Sequence, residues 1–294
     1  MKPAAFQYHR AGSTDDALAL LRENGYDAKL LAGGQSLIPA MNFRLAQPAV
    51  LIDLNRVDEL SYIRNSEGAL LIGAMTRQRA AERSPLMARH APLLVEALRH
   101  TAHPQIRNRG TIGGSIAHAD PAAEIPTVML ALGATIRIQG PAGQRSVPAP
   151  DFFTGFFGTA LQPDEMVVSV SLPANPPRSG WGFEEIARRH GDFALAGVAA
   201  AVALDAAGRC DTVRIALFSV ADRPLLAESA AGVILGHEPG EDAIAAAASA
   251  AAHVDIDPPS DIHASAAYRR RLVEVLTRRV LTRAIFLARS TMPG

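Results

Sequence analysis

Apolar positions along the chain change their spacing several times, and each change marks an element. Ser13 precedes Asp15 and Asp16, and Ala17, Leu18, Leu20 and Leu21 follow at helical spacing up to Gly25. That order predicts an amphipathic helix with a side-chain cap, acids in its first turn and glycine at its end. Residues 29–32, 50–54 and 70–74 are short apolar runs of strand length, and 37–45 predicts a short helix between the first two. Residues 85–101 predict a single amphipathic helix ending before His103-Pro104. A long glycine-containing loop is expected over 103–120, then a helix over 121–132 with proline in its first turn. Residues 135–138 and 145–147 predict a hairpin around Gly140-Pro141-Ala142-Gly143, and 166–172 an alternating strand.

Ala174-Asn175-Pro176-Pro177-Arg178-Ser179-Gly180 concentrates chain-breaking residues and predicts a domain boundary. Beyond it, residues 183–188, 196–205 and 212–220 predict an antiparallel sheet. Eight alanines in the ten residues 243–252 favour helix on propensity, and 268–287 predicts a second long helix. Strands followed by packed helices imply an α+β domain. A chain of 294 residues is ample for two such units.

Composition narrows the function. The formal net charge is zero, which argues against a nucleic-acid binder with a basic surface throughout. Residues 264–294 nevertheless hold seven arginines and one acid, Glu274. The single cysteine, Cys210, excludes an internal disulfide and any cysteine-held iron–sulfur or zinc cluster. No apolar run is long enough to span a membrane, and the first residues lack a signal peptide's apolar stretch, so the expectation is soluble and cytoplasmic.

Candidate chemistry lies in two similar glycine pairs, Ala32-Gly33-Gly34-Gln35-Ser36 and Thr111-Ile112-Gly113-Gly114-Ser115. Paired glycines let successive backbone N–H groups turn towards one point without a Cβ in the way. Such a nest binds a phosphate oxygen without a cationic side chain. Two nests in one chain suggest a pyrophosphate gripped from two sides, and hence a dinucleotide. Neither pair is a Walker loop or a Rossmann fingerprint.

The residues around the nests leave alternatives open. Arg107 and Arg109 could neutralise a pyrophosphate or face solvent. Asp120, before Pro121, predicts an N-cap and could also accept from sugar hydroxyls. His103, His118 and His190 show no metal spacing, and no nucleophile–base arrangement stands out. Taken alone, Phe193, Trp181 and the Phe152-Phe153…Phe156-Phe157 cluster read as core.

Together these residues resemble the flavin-binding medium subunit of the molybdenum hydroxylases, as in carbon monoxide dehydrogenase and xanthine dehydrogenase. The likeness runs through both nests, residues 39–48, Arg107-Asn108-Arg109-Gly110, His118-Ala119-Asp120-Pro121, residues 188–193 and residues 261–270. It implies an FAD-binding fold of the vanillyl-alcohol oxidase type over 1–175, with subdomains of about 1–55 and 56–175. A C-terminal α+β domain of antiparallel sheet plus helices is then expected over 181–290. By resemblance, FAD is bound non-covalently. Ala32, Gly33, Gly34, Gln35 and Ser36, with Thr111, Ile112, Gly113, Gly114 and Ser115, hold it. Asp120 and Glu124 lie near the ribityl chain and flavin, Ile112 and Leu161 beside the ring, and Phe193 against its other face. Glu184-Glu185 stands where some relatives have lysine. No catalytic acid or base and no metal ligand is implied in this chain. The resemblance also implies an iron–sulfur small subunit with two [2Fe–2S] clusters and a large subunit with molybdenum cofactor, assembled as a dimer of heterotrimers. Electrons would pass from the clusters through FAD to an external acceptor. The alternatives are a stand-alone FAD oxidase or reductase on the same scaffold, and a binding protein without cofactor.

Overall fold

In the computed structural model, which describes residues 2–290, three main sheets follow one another along the chain. The first is parallel, in the order β1 (Gln7–Arg10), β3 (Val50–Asp53), β2 (Ala28–Leu31), with α1 (Thr14–Asn24) and α2 (Leu37–Asn42) between the strands. Ser13 caps α1 by accepting from the Asp16 amide at 3.1 Å, and Gly25 ends it at φ 53°. The central strand β3 is buried along its whole length, which explains its unbroken apolar run. Strand β2 delivers residues 32–36 past the C-terminal edge of this sheet, where open parallel sheets bind ligands.

The second sheet is antiparallel, in the order β4-β5-β10-β6-β7: β4 (Ile63–Ser66), β5 (Ala69–Gly73), β6 (Thr135–Gly140), β7 (Gly143–Pro148) and, after the small hairpin β8 (Phe153–Gly155)–β9 (Gly158–Thr159), β10 (Met166–Pro173). Between β5 and β6 run α3 (Gln78–Arg83), α4 (Pro85–His90), α5 (Pro92–His100), α6 (Pro104–Arg109), α7 (Ile112–His118) and α8 (Glu124–Ala131), and α9 (Ala149–Phe152) follows β7. Three expectations change here. The helix expected over 85–101 is two helices, because Ala91, ahead of Pro92, leaves helical geometry at φ −141°, ψ 54°. The loop expected over 103–120 is two short helices, held by tertiary packing rather than by propensity. The helix expected from 121 starts at Glu124. Asp120 instead stabilises the turn before it, its Oδ1 accepting from the Ala122 amide at 2.8 Å.

The third sheet runs β11 (Ser179–Ala187), β12 (Ala194–Leu204), β13 (Cys210–Phe218), β14 (Leu225–Leu226), all antiparallel. Helices α10 (Glu228–Ile234), α11 (Glu241–His253) and α12 (Ala266–Ser290) follow it. On β12, Ala196, Val198, Ala200, Val202 and Leu204 join the core beneath α11 and α12. Ala194 and Ala199 join the core formed by α5 and α8. The period of two puts Ala199 on the face opposite these five, and the β-bulge at the start of β12 turns Ala194 to that same side. Helix α12 packs directly on strand backbone: a Cβ on Gly180 would lie 1.9 Å from the Ala284 carbonyl oxygen.

Candidate functional site

The two glycine segments meet in space but are not equivalent. In the first, the amides of Gly33, Gly34, Gln35 and Ser36 have no acceptor among the described residues. Gly34 takes φ 75°, a conformation open to glycine, which turns the run of amides. The Gln35 side chain braces the loop by donating to the Gly33 carbonyl at 3.0 Å. Gly33, Gly34, Gln35 and Arg109 line a hollow of about 290 Å³.

In the second segment the four amides of Ile112 to Ser115 already have protein acceptors. Ile112 and Gly113 donate to the carbonyls of Thr76 (3.0 Å) and Ala74 (2.9 Å). Gly114 donates to the Thr111 hydroxyl at 3.0 Å, and Ser115 to the Thr111 carbonyl at 3.2 Å. Gly113 is required by packing, since a Cβ there would lie 2.5 Å from the Ala74 methyl group. The Ile112 side chain is fully buried in the central core. A Cβ on Gly114 would lie 3.5 Å from that of Ala32, which fixes the closeness of the two segments.

The two arginines between them separate cleanly. Arg107 is buried and structural: it pairs with Glu82 at 3.0 Å and donates to the carbonyls of Thr101 and Ala102. Arg109 is exposed at the hollow and makes no ion pair among the described residues.

Aromatic side chains stand exposed on the neighbouring loops. Phe193 is 70% exposed, so the core reading of this residue is overturned. Its turn reaches the first domain's helices: a Cβ on Gly191 would lie 2.5 Å from the His103 ring, which stacks 6.3 Å from His190. The phenylalanine cluster divides. Phe152 and Phe153 are core, whereas Phe156 (72% exposed) and Phe157 (43%) project on the β8–β9 turn. Phe157 holds φ 52° and packs its ring 5.0 Å from His118, a pair that sequence patterning did not single out. The flanking Gly155 and Gly158 were the available sign that these rings sit on a turn. Leu161 is half-buried against the central core. Trp181 packs on that core as expected, with Arg283 over its ring at 4.9 Å.

Glu124 points to a different neighbourhood. It is buried where α8 meets α5 and β11, with Thr101, His100 and Glu185 around it. Burial, reinforced by the Glu185 charge, pushes its carboxyl up to about 8. His100 Nδ1 lies 3.5 Å from Glu185, and that contact raises the imidazole above its ordinary value. No cluster of histidine, cysteine and carboxylate side chains among the described residues could hold a metal. Cys210 is buried, its thiol pushed up to about 11 by desolvation. No described helix is long and apolar enough to cross a membrane.

Comparison with known proteins adds the following. Residues 4–175 match the family described as the FAD binding domain in molybdopterin dehydrogenase, and 181–284 the CO dehydrogenase flavoprotein C-terminal domain. The chain is 42% identical over 291 residues to the 6-hydroxypseudooxynicotine dehydrogenase complex subunit alpha of Paenarthrobacter nicotinovorans, covering 99% of this chain and 98% of that one. It is similar to a carbon monoxide dehydrogenase structure from Hydrogenophaga pseudoflava lacking the Mo-pyranopterin moiety (TM-score 0.95, 41% identity, 98% and 99% covered). It also resembles quinoline 2-oxidoreductase from Pseudomonas putida 86 (TM-score 0.91, 41% identity, both chains covered fully at 100%).

Proposed function

Because this chain belongs to the family of FAD-binding medium subunits of the molybdenum hydroxylases, we propose that it is the electron-transfer subunit of a heterotrimer. In this reading it stands between the [2Fe–2S] clusters of a small subunit and an external acceptor, while a large subunit holds the molybdenum cofactor. The heterotrimer pairs into a dimer.

The observation that carries the reading is the run of four amides at residues 33–36 with no acceptor among the described residues, beside the guanidinium of Arg109, which makes no ion pair among them. Four donors and a delocalised cation match the oxygens of a pyrophosphate. When bound, FAD supplies the redox chemistry, and the chain's task is to hold and orient it. Ala32–Ser36 grips the pyrophosphate through its amides. Thr111–Ser115 lies against it from the other side by close backbone approach, since the amides of Ile112 to Ser115 are committed internally. Asp120 keeps one carboxylate oxygen without a partner among the described residues and accepts there from ribityl hydroxyls. Phe193 covers one flavin face. Leu161 and the backbone at Ile112 lie beside the ring, and Glu124 begins the helix that follows the turn carrying Asp120. No cysteine precedes the buried Cys210, which favours a non-covalent flavin. The break between the units falls in 176–180, giving an FAD-binding domain over 1–175 and a C-terminal domain over 181–290.

Isolation of the chain from its native source under mild conditions tests this. FAD, iron, acid-labile sulfide and molybdenum should co-purify with it in constant proportion. A yellow protein free of iron and molybdenum would make it a stand-alone flavoenzyme instead.

A further inference from the structure

The peptide units that introduce the two glycine segments are tied by a line of polar side chains crossing between the first two sheets. Asn55 lies at its centre, just beyond β3. Its amide nitrogen donates to the Ala32 carbonyl at 3.1 Å, immediately before Gly33, and its amide oxygen accepts from Arg77 Nη2 at 2.5 Å. Arg77 Nη1 in turn donates to the carbonyl oxygen of Arg109, immediately before Gly110. That same carbonyl is the group packed against Gly33, 2.5 Å from where its Cβ would be. Asp53 holds Asn55 from behind, accepting from its backbone amide at 2.8 Å and from the Tyr8 hydroxyl.

Two features distinguish this line from an ordinary loop tether. Arg77 is partly buried but spends its guanidinium on a neutral amide and a carbonyl rather than on an ion pair, with the Asp53 carboxylate behind Asn55 as the opposing charge. It also lies close enough to Arg109 that desolvation and then the Arg109 charge hold its pKa below the ordinary guanidinium value. Neither arginine forms an ion pair among the described residues. Two cations outside any ion pair among the described residues converge where the two segments meet, while the hydrogen bonds fix how far apart those segments stand.

We propose that Asn55 and Arg77 are positioning residues: a clamp that sets the spacing between the 32–36 amides and the 109–114 segment, and through it the affinity for the FAD pyrophosphate. The inference rests on the FAD reading above, and the clamp acts on the backbone rather than on the cofactor. Pyrophosphate recognition between two backbone segments depends on their separation to a fraction of an ångström, so loosening either end shifts the 33–36 donors relative to the facing segment.

The test uses the full-length chain stripped of flavin, with affinities for FAD and for ADP measured by fluorescence quenching and competition. The melting temperature of each flavin-free protein is measured alongside. Arg77→Lys keeps the charge but cannot span both acceptors. It should weaken FAD and ADP by the same factor, about tenfold for the loss of one charge-assisted hydrogen bond's worth of alignment. Its flavin-free protein should melt within a few degrees of wild type. Asn55→Ala should weaken both ligands similarly, and the double variant should lose no more than the larger single loss, as expected of one unit. Wild-type affinity in Arg77→Lys would overturn the clamp and leave only a charge effect. A loss confined to FAD and absent for ADP would overturn it equally, since the defect would then lie at the flavin end. A wild-type chain that binds no FAD would instead bring down the functional reading, and the clamp with it.

Discussion

Gly33 has no room for a side chain: its Cβ would meet the Arg109 carbonyl oxygen at 2.5 Å and the Gly110 Cα at 2.7 Å, both backbone atoms. Gly33→Ala must therefore push apart the two segments proposed to grip the pyrophosphate. FAD affinity should fall by two decades or more, corresponding to about 3 kcal/mol, or two charge-assisted hydrogen bonds. Gly114→Ala meets only the Thr111 hydroxyl, at 2.6 Å, a side chain that can turn away. It should fold and lose roughly tenfold in affinity, as the Thr111 cap is disturbed. Equilibrium titration of both variants checks the ranking, and equal effects would count against it. Phe193 gives a separate prediction. Being 70% exposed, it contributes little to stability, so Phe193→Ala should keep its melting temperature within about 2 °C while altering flavin fluorescence. The glycine pairs were legible in the sequence because paired glycines in two similar settings are uncommon outside sites where backbone must come close. Which pair keeps free amides was not, since that depends on the carbonyls of Ala74 and Thr76, placed by tertiary structure.

Among the elements, α1, the inner strands of all three sheets and the long helix α12 were written in spacing and caps, as at Ser13 and Gly25, whereas the edge strands β1, β4 and β14, short and without a buried residue, left no apolar pattern to read. Helices α6 and α7 were not, because six and seven residues with two glycines carry almost no propensity signal. Nor could spacing show that α5, α8 and β11 share a buried carboxyl pair. That junction predicts a pH dependence. Glu124 titrates at about 8 in the folded protein against an ordinary 4.5, so between those values the folded state holds a proton that the unfolded chain has lost. Stability therefore falls as pH rises through that window. His100 acts in the same direction: its raised value gives stability below 6.5 that is lost as pH climbs through the folded value. Melting temperature should decline from about pH 5 to about pH 8.5, and Glu124→Gln should flatten the decline. Calorimetry across that range checks it, and a melting temperature that rises with pH would contradict it.

Over the whole molecule, the arginine-rich end divides: Arg271, Arg278, Arg279, Arg283 and Arg289 are exposed, so most of that face is solvated, whereas Arg269 is buried, donating to the carbonyls of Leu195 and Ser219 and to Asp261 at 2.7 Å. Arg270 holds the carbonyls of Ala252 and Ile256, and Arg279 and Arg283 pair with Glu184 and Glu96. Arg269→Gln should cost about 1–3 kcal/mol by stranding buried carbonyls, whereas Arg278→Gln, on the open face, should stay within about 0.5. Denaturant titration separates the two. The central claim for the molecule is that its glycine segments grip a dinucleotide by the pyrophosphate. Titration of the flavin-free, full-length chain with FAD and then with FMN, which lacks the pyrophosphate and adenosine, tests that most directly. The account predicts one FAD per chain, released intact by acid, and FMN binding at least about a hundredfold weaker. FMN bound as tightly as FAD would contradict it.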